Sequence, residues 1–198
     1  FAANKNVSFK VYKDEIFAIL GHNGAGKSTL IQNMVGIIKP DSGETFYQGL
    51  PLTKYKKHIT KQIGYCPQED TLWNDFTLYE HIEMFLYLRG FSKKESKRIA
   101  KQFIKYCRLT EHKNKLPSEL SGGTRRKLNI LMALCCSSSK IILDEPSAGM
   151  DPSTRRYVWD IIKGTIQSNG SSTVMSTHSM EEAELLCNRI AIMVKGKV

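Results

Sequence analysis

The sequence predicts an α/β fold with a mainly parallel sheet, a small antiparallel β part and an inserted helical lobe. Three observations carry that expectation. Short apolar runs alternate with segments of helical periodicity in residues 1–76 and again in 137–198, the pattern of strands joined by crossover helices. Residues 77–136 lose the strand signals and turn helical in character. A glycine-rich loop stands between an apolar run and a helix near the N-terminus, where a parallel sheet places its turns. At 198 residues the chain has the size of one domain, with the lobe as an insertion.

Each element has a local reason. Val7–Val11 alternates apolar and polar, as a strand does. Ile16–Leu20 is a continuous apolar run, which suits a strand buried on both faces. Lys27–Ile38 reads as a helix, Pro40–Gly43 as a turn, and Glu44–Tyr47 and Ile63–Cys66 as strands. Thr77–Glu80 and Ser92–Glu95 fit capping boxes, each followed by helical periodicity up to Cys107. Gly122–Cys136 reads as a helix and Ile141–Leu143 as a strand. Pro152–Gln167 reads as a helix with Asp151 as its N-cap and Pro at its first position. Thr173–Ser176 follows as a strand. Ser179–Leu186 is a helix with its own capping box from Ser179 and Glu182, and Ile190–Val194 is a final strand.

Composition narrows the class. Hydrophobic residues at 41% and aromatics at 9% are ordinary for a globular domain. No apolar run approaches the about 18 residues that a membrane span requires, and Phe1–Lys10 lacks a signal-peptide pattern. The chain is therefore expected not to cross a membrane by itself. Its five cysteines show no metal-type spacing, so reduced thiols are expected rather than a disulfide framework. The net charge of +10 gathers at Lys54–Lys61, Lys93–Lys105 and Arg125–Lys127. Ile99, Phe103, Ile104 and Cys107 give Lys93–Lys105 an apolar face at helical spacing, so its lysines read as the wet side of a helix. No aromatics interleave with them as stacking platforms for nucleic acid.

Two motifs carry chemistry. Gly21–Ser28 (GHNGAGKS) fits G-x-x-x-x-G-K-[ST] and lies between a strand and a helix, the context that a phosphate-binding loop needs. Its glycines allow backbone N–H groups to converge on phosphate oxygens at a helix N-terminus. The candidate nucleotide-binding set is Gly21, His22, Asn23, Gly24, Ala25, Gly26, Lys27, Ser28 and Thr29. Lys27 is placed to pair with the β- and γ-phosphates, and Ser28 to put its hydroxyl on Mg²⁺. Ile141–Glu145 (IILDE) is an apolar strand ending in two carboxylates, of which Asp144 can hold Mg²⁺ through water. The core is thus of the P-loop NTPase type.

Between these motifs stands Leu120–Thr124 (LSGGT). With all three in this order, the chain resembles the ATP-binding-cassette (ABC) ATPases, from about Val7 to its last residue. The resemblance implies that Glu145 polarises the attacking water. Gln68 would contact Mg²⁺ or that water and relay nucleotide state to a membrane partner, and His178 would contact the γ-phosphate. The metal set implied is Ser28, Gln68 and Asp144; the catalytic set is Glu145, His178, Gln68 and Lys27. Ser121, Gly122 and Gly123 open a helix and would bind the ATP of a partner cassette packed head to tail. Asp151 would sit at the dimer interface while also capping a helix. ATP and Mg²⁺ are the implied ligands.

Several stretches look closest to subfamily A, the lipid-exporter-like branch: GYCPQ at 64–68, EHIEMFLYLRG at 80–90, LSGGTRRKL at 120–128, GMDPSTRRYVW at 149–159 and STHSMEEAELLCNRIAIMV at 176–194. That resemblance implies a cassette belonging to a longer polypeptide with its own transmembrane domains. The parent would lodge in a membrane with the cassette on the cytoplasmic side. The family's adenine-stacking aromatic lies upstream of the first strand, and Tyr12 falls too late to take that part. Two other readings stay open. A soluble ABC ATPase acting on ribosomes or nucleic acid draws on the basic surface. A non-hydrolysing regulatory module is opposed by the presence of Glu145, Gln68 and His178.

Overall fold

A computed structural model describes residues 2–198. Its centre is a five-stranded sheet of β1 (Ile16–Leu20), β4 (Ile63–Cys66), β5 (Lys140–Asp144), β6 (Ser172–Thr177) and β7 (Arg189–Ile192). Their order across the sheet is β4-β5-β6-β1-β7, and every pairing is parallel. Strands β1, β4, β5 and β6 are buried on both faces, and their side chains alternate between two apolar clusters, while β7 forms a partly exposed edge. Ile16 and Ala18 of β1, Ile141 and Leu143 of β5, and Met175 of β6 enter one cluster. Phe17, Ile19, Ile142 and Val174 enter the other. A period of two explains why such runs are apolar throughout. Each Leu or Ile buried this way contributes about 1.5–3 kcal/mol of transfer free energy.

The first cluster also takes in α3 (Leu78–Leu88), α4 (Lys93–Tyr106), α5 (Gly122–Leu134), α6 (Pro152–Asn169) and α7 (Met180–Leu186). The second takes in α1 (Lys27–Met34) and α2 (Leu52–Thr60). Both capping boxes expected in the lobe are present, at Thr77/Glu80 and Ser92/Glu95. Helix α4 buries Ala100, Ile104 and the following Cys107 while its lysines stay exposed. All five cysteines are free thiols.

Four expectations need correction. Val7–Val11 joins no strand. Val7, Phe9 and Val11 pack on the second cluster, with Phe9 stacked on Phe17 at 5.0 Å, so the alternation reported burial without a ladder. The small antiparallel part, by contrast, stands as expected: β2 (Phe46–Tyr47) pairs with β3 (Leu50–Pro51), joined through Gln48 and Gly49, both at positive φ as a tight hairpin turn requires. Helix α1 stops at Met34 rather than Ile38, because Gly36 takes φ 75° and the Ile37 N–H turns back to the Gln32 carbonyl. Ser179 caps α7, but Glu182 does not return the bond; its carboxylate faces inward, as described below. The final strand also ends at Ile192, two residues early. Helix α2 was not expected at all: its sequence reads as a lysine cluster, with Leu52 and Ile59 as its buried residues.

His81 on α3 is fully buried and fastens the segment after β4. Its Nδ1 lies 2.8 Å from the Thr77 carbonyl, and its Nε2 accepts the Trp73 N–H at 2.9 Å. This pattern requires the neutral ring, and burial pushes its pKa below the ordinary value. Unfolding thus exposes a ring that binds a proton more readily, so stability falls as pH drops below about 6.5. The urea midpoint should decline from about pH 7 to about pH 5, and a His81→Gln variant should show a flatter profile. Equal slopes in the two proteins would assign the decline to other groups.

Candidate functional site

The carboxyl ends of β1, β4, β5 and β6 lie along one edge of the sheet, and the loops that leave them meet there. That edge is where open α/β sheets bind ligands. The loop after β1 starts at Gly21, whose N–H donates to the Thr177 carbonyl at 3.1 Å. His22, Asn23 and Gly24 form its exposed tip, Ala25 is buried, and Thr29 is half-buried in the first turn of α1. Gly26 has φ 104°, and a Cβ there would meet the Ala3 carbonyl at 2.5 Å, so only glycine fits. No side chain caps α1, which leaves its first N–H groups directed into the loop.

Lys27 is 4% exposed. Its ammonium donates to the carbonyls of Gly21 at 2.7 Å and His22 at 3.1 Å, and it pairs with Glu145 Oε1 at 3.1 Å. All three N–H donors are thus in use. Glu145 is equally buried, and its second oxygen lies 3.0 Å from His178 Nδ1. Its backbone sits at φ 47°, an uncommon region for a side-chain-bearing residue. Its N–H reaches both the carbonyl and the hydroxyl of Ser176, at 3.2 and 2.9 Å. The carboxylate is held between an ammonium and an imidazole.

Ser28 Oγ lies 3.1 Å from Gln68 Oε1 and 3.2 Å from Asp144 Oδ1, so three hard oxygen donors converge from three loops. This donor set fits Mg²⁺, which prefers oxygen ligands and keeps several waters. Burial raises the Asp144 carboxyl above its ordinary range, while hydrogen bonds from Ser176 and Ser28 pull it back.

Three residues of this neighbourhood escaped the sequence reading. Ser176, at the end of β6, donates its hydroxyl to Asp144. Glu182, 2% exposed, accepts from Ser147 Oγ at 2.6 Å and Trp159 Nε1 at 2.8 Å, and so joins α7 to the loop before Asp151. Arg126 on α5 is 5% exposed, and its guanidinium donates only to main-chain carbonyls: Pro67, Gln68, Asp144, Glu145 and Pro146. Each such charge-assisted bond contributes about 1.5–3 kcal/mol. No spacing signal set Arg126 apart, since Arg125 and Lys127 flank it and the polar Asn129 shares its buried face.

Ser121 is the N-cap of α5, its hydroxyl accepting the Thr124 N–H at 3.2 Å, and Ser121 and Gly122 are exposed. The Ser121 hydroxyl bonds within its own turn, at 2.9 Å from Thr124 Oγ1, and does not join the Lys27 cluster. Asp151 caps α6 through Ser153 and Thr154, and the Ser153 hydroxyl above all holds its carboxyl well below the usual range.

This fold and this edge of loops define a phosphate-loop nucleotide-binding domain. The ABC transporter family model matches residues 4–148, and the chain belongs to that family. Within it, the chain resembles subfamily A. It is 40% identical over 197 residues to rat (Rattus norvegicus) ATP-binding cassette sub-family A member 17, covering 99% of this chain and 11% of that protein. It is 39% identical over 197 residues to human phospholipid-transporting ATPase ABCA3, covering 100% and 11%. Against the rat cholesterol transporter ABCA5 it is 40% identical over 202 residues, covering 99% and 12%. The chain therefore spans about a tenth of the length of these curated relatives. Among solved structures, it superposes on the dimeric structure of MJ0796, a bacterial ABC transporter cassette, with a TM-score of 0.91 at 26% identity, covering 99% of this chain and 88% of the other. It superposes equally, at 0.91 and 26%, on the post-hydrolysis dimer of MJ0796 bound to ADP and Pi.

Proposed function

We propose that this chain binds Mg·ATP, closes head to tail on a second cassette and hydrolyses ATP to drive transport through membrane-spanning partners, with lipid as the cargo. The observation that carries the reading is the convergence of Lys27, Ser28, Gln68, Asp144, Glu145 and His178 from four loops at one sheet edge. The cassette dimers among its structural neighbours and the lipid-transporting relatives support the finer steps.

The chemistry follows from the contacts. The phosphate chain of ATP is recognised by the loop amides and by Lys27, whose ammonium must then leave Glu145 for phosphate oxygen. Released, Glu145 accepts a hydrogen bond from the attacking water, while His178 keeps the carboxylate oriented. The water oxygen bonds to the γ-phosphorus as the bond to the β-phosphate oxygen breaks, giving ADP and phosphate. Ser28, Gln68 and Asp144 would hold Mg²⁺, which when bound neutralises charge on the β- and γ-oxygens. Ser121–Gly123 would supply N–H groups to the γ-phosphate held by the second cassette, and Asp151 would lie at the shared interface. Residues 1–76 and 137–198 would act as the ATP-binding core, and 77–136 as the lobe carrying the signature.

A groove of about 450 Å³ opens beside Gln68, its wall mostly apolar, from Tyr65, Pro67, Leu72, Trp73, Phe85 and Met132, with Thr71 and Asn129 adding polar groups. It suits an apolar segment of the membrane partner, which would read nucleotide state through Gln68. The described residues contain no helix long and apolar enough to cross a membrane. The spanning segments would belong to a longer parent polypeptide, with this cassette on its cytoplasmic side.

Ser121→Arg separates the two halves of such a site. Turnover should fall by at least about tenfold, while ATP affinity at this chain's own loop stays within about twofold. Undiminished turnover would remove the signature from the reaction. For transport, the full-length protein in proteoliposomes should move lipid with ATP and stop with Glu145→Gln; equal movement by both would separate hydrolysis from transport.

A further inference from the structure

The structure assigns Arg126 as a positioning residue that ties the signature helix to the chain's own catalytic loops; the inference rests on the ATPase reading above. Five main-chain carbonyls meet one guanidinium: Pro67 at 2.5 Å, Gln68 at 2.9 Å, Asp144 at 2.6 Å, Glu145 at 3.1 Å and Pro146 at 3.1 Å. Two of these residues, Asp144 and Gln68, carry oxygens on Ser28, and a third, Glu145, pairs with Lys27. Arg126 thus grips the backbone of three functional residues and leaves their side chains to the nucleotide.

The grip originates on α5, four residues after its N-terminal Gly122. Two neighbours on the same helix reinforce it. Asn129 donates to Asp70 Oδ1 at 3.0 Å and accepts the Thr71 N–H at 3.3 Å, and Arg125 faces Asp70 at 3.5 Å. Residues 67–71 and 144–146 are therefore fastened to the helix whose first turn would meet the partner's nucleotide. Displacing α5 on that nucleotide moves Gln68 and Glu145 of this chain with it. The signature then acts at both sites: directly on the partner's phosphate and, through Arg126, on the geometry of its own.

Among the described residues no carboxylate lies at hydrogen-bond distance from Arg126; its partners are carbonyl dipoles at the end of β5 and after β4. A lysine has three donors on a point charge and cannot span five carbonyls. A glutamine supplies two donors and no charge.

The test uses the full-length protein with Arg126→Lys and with Arg126→Gln, read by steady-state ATPase, ATP affinity and thermal melting. In folded variants kcat should fall by about tenfold or more while ATP affinity and KM stay within about twofold, with Lys milder than Gln. Unchanged kcat, or a loss confined to ATP affinity, overturns the role. If neither variant folds, hydrogen exchange on the unsubstituted protein decides. A non-hydrolysable ATP analogue should change protection of residues 67–70, 144–146 and 122–126 together in the unsubstituted protein; with Ser121→Arg the change at 122–126 should vanish, and that at 67–70 and 144–146 should shrink to what ATP at the chain's own loop produces. A change at 67–70 and 144–146 that stays undiminished while 122–126 loses its own overturns the link. A wild-type protein that hydrolyses no ATP defeats the ATPase reading itself, whereas an active wild type beside an undiminished Arg126→Lys defeats only the link.

Discussion

Lys27→Ala should abolish ATP binding at working concentrations. Two effects act in the same direction. The variant removes a buried ammonium whose charge-assisted bonds to phosphate contribute about 1.5–3 kcal/mol each. It also strands Glu145, 5% exposed, without its ion pair, beside the place where an anion must enter. The dissociation constant should rise by about 10²–10³-fold, as titration calorimetry would measure. Adding Glu145→Gln to Lys27→Ala should recover part of the loss by removing the stranded charge. Undiminished affinity in the single variant would refute the role of Lys27.

Glu145→Gln should lower turnover by about 10²–10⁴-fold while ATP binds as well or better. The amide cannot accept the water's proton. It also no longer competes as an anion for Lys27, so the ammonium passes to phosphate at less cost. The paired readouts are phosphate release and equilibrium ATP affinity. A variant that hydrolyses at the wild-type rate would place the base elsewhere, and a loss of affinity equal to the loss of rate would make Glu145 a binding residue.

The sequence was most informative where local rules decide the outcome. The loop Gly21–Ser28, the acidic strand end at Asp144 and Glu145, and the capped helices at Thr77, Ser92, Ser121 and Asp151 each depend on residues close in the chain. Parallel strands buried on both faces announce themselves as apolar runs, and Ile16–Leu20 and Ile63–Cys66 stand where expected. Elements whose existence depends on distant partners were harder to read. Val7–Val11 alternates, yet its apolar side packs on the second cluster without a pairing strand. Glu182 has the spacing of a capping residue, but Ser147 and Trp159, 35 and 23 residues away, take its carboxylate. Arg126 looks like a basic surface residue between Arg125 and Lys127 until the loops from β4 and β5 close over it. No local pattern encodes contacts made across 58 or 59 residues.

Lys27, Ser28, Gln68, Asp144, Glu145 and His178 form one cluster, while the Ser121 hydroxyl keeps to its own turn. On the proposed function, this chain contributes half of each of two sites. The specific ATPase activity of the chain as a function of its own concentration tests this most directly. A shared site predicts that activity per chain falls toward zero on dilution and rises as dimers form. Activity per chain that stays constant across the dilution series would show that one cassette completes its own site, and would contradict the account.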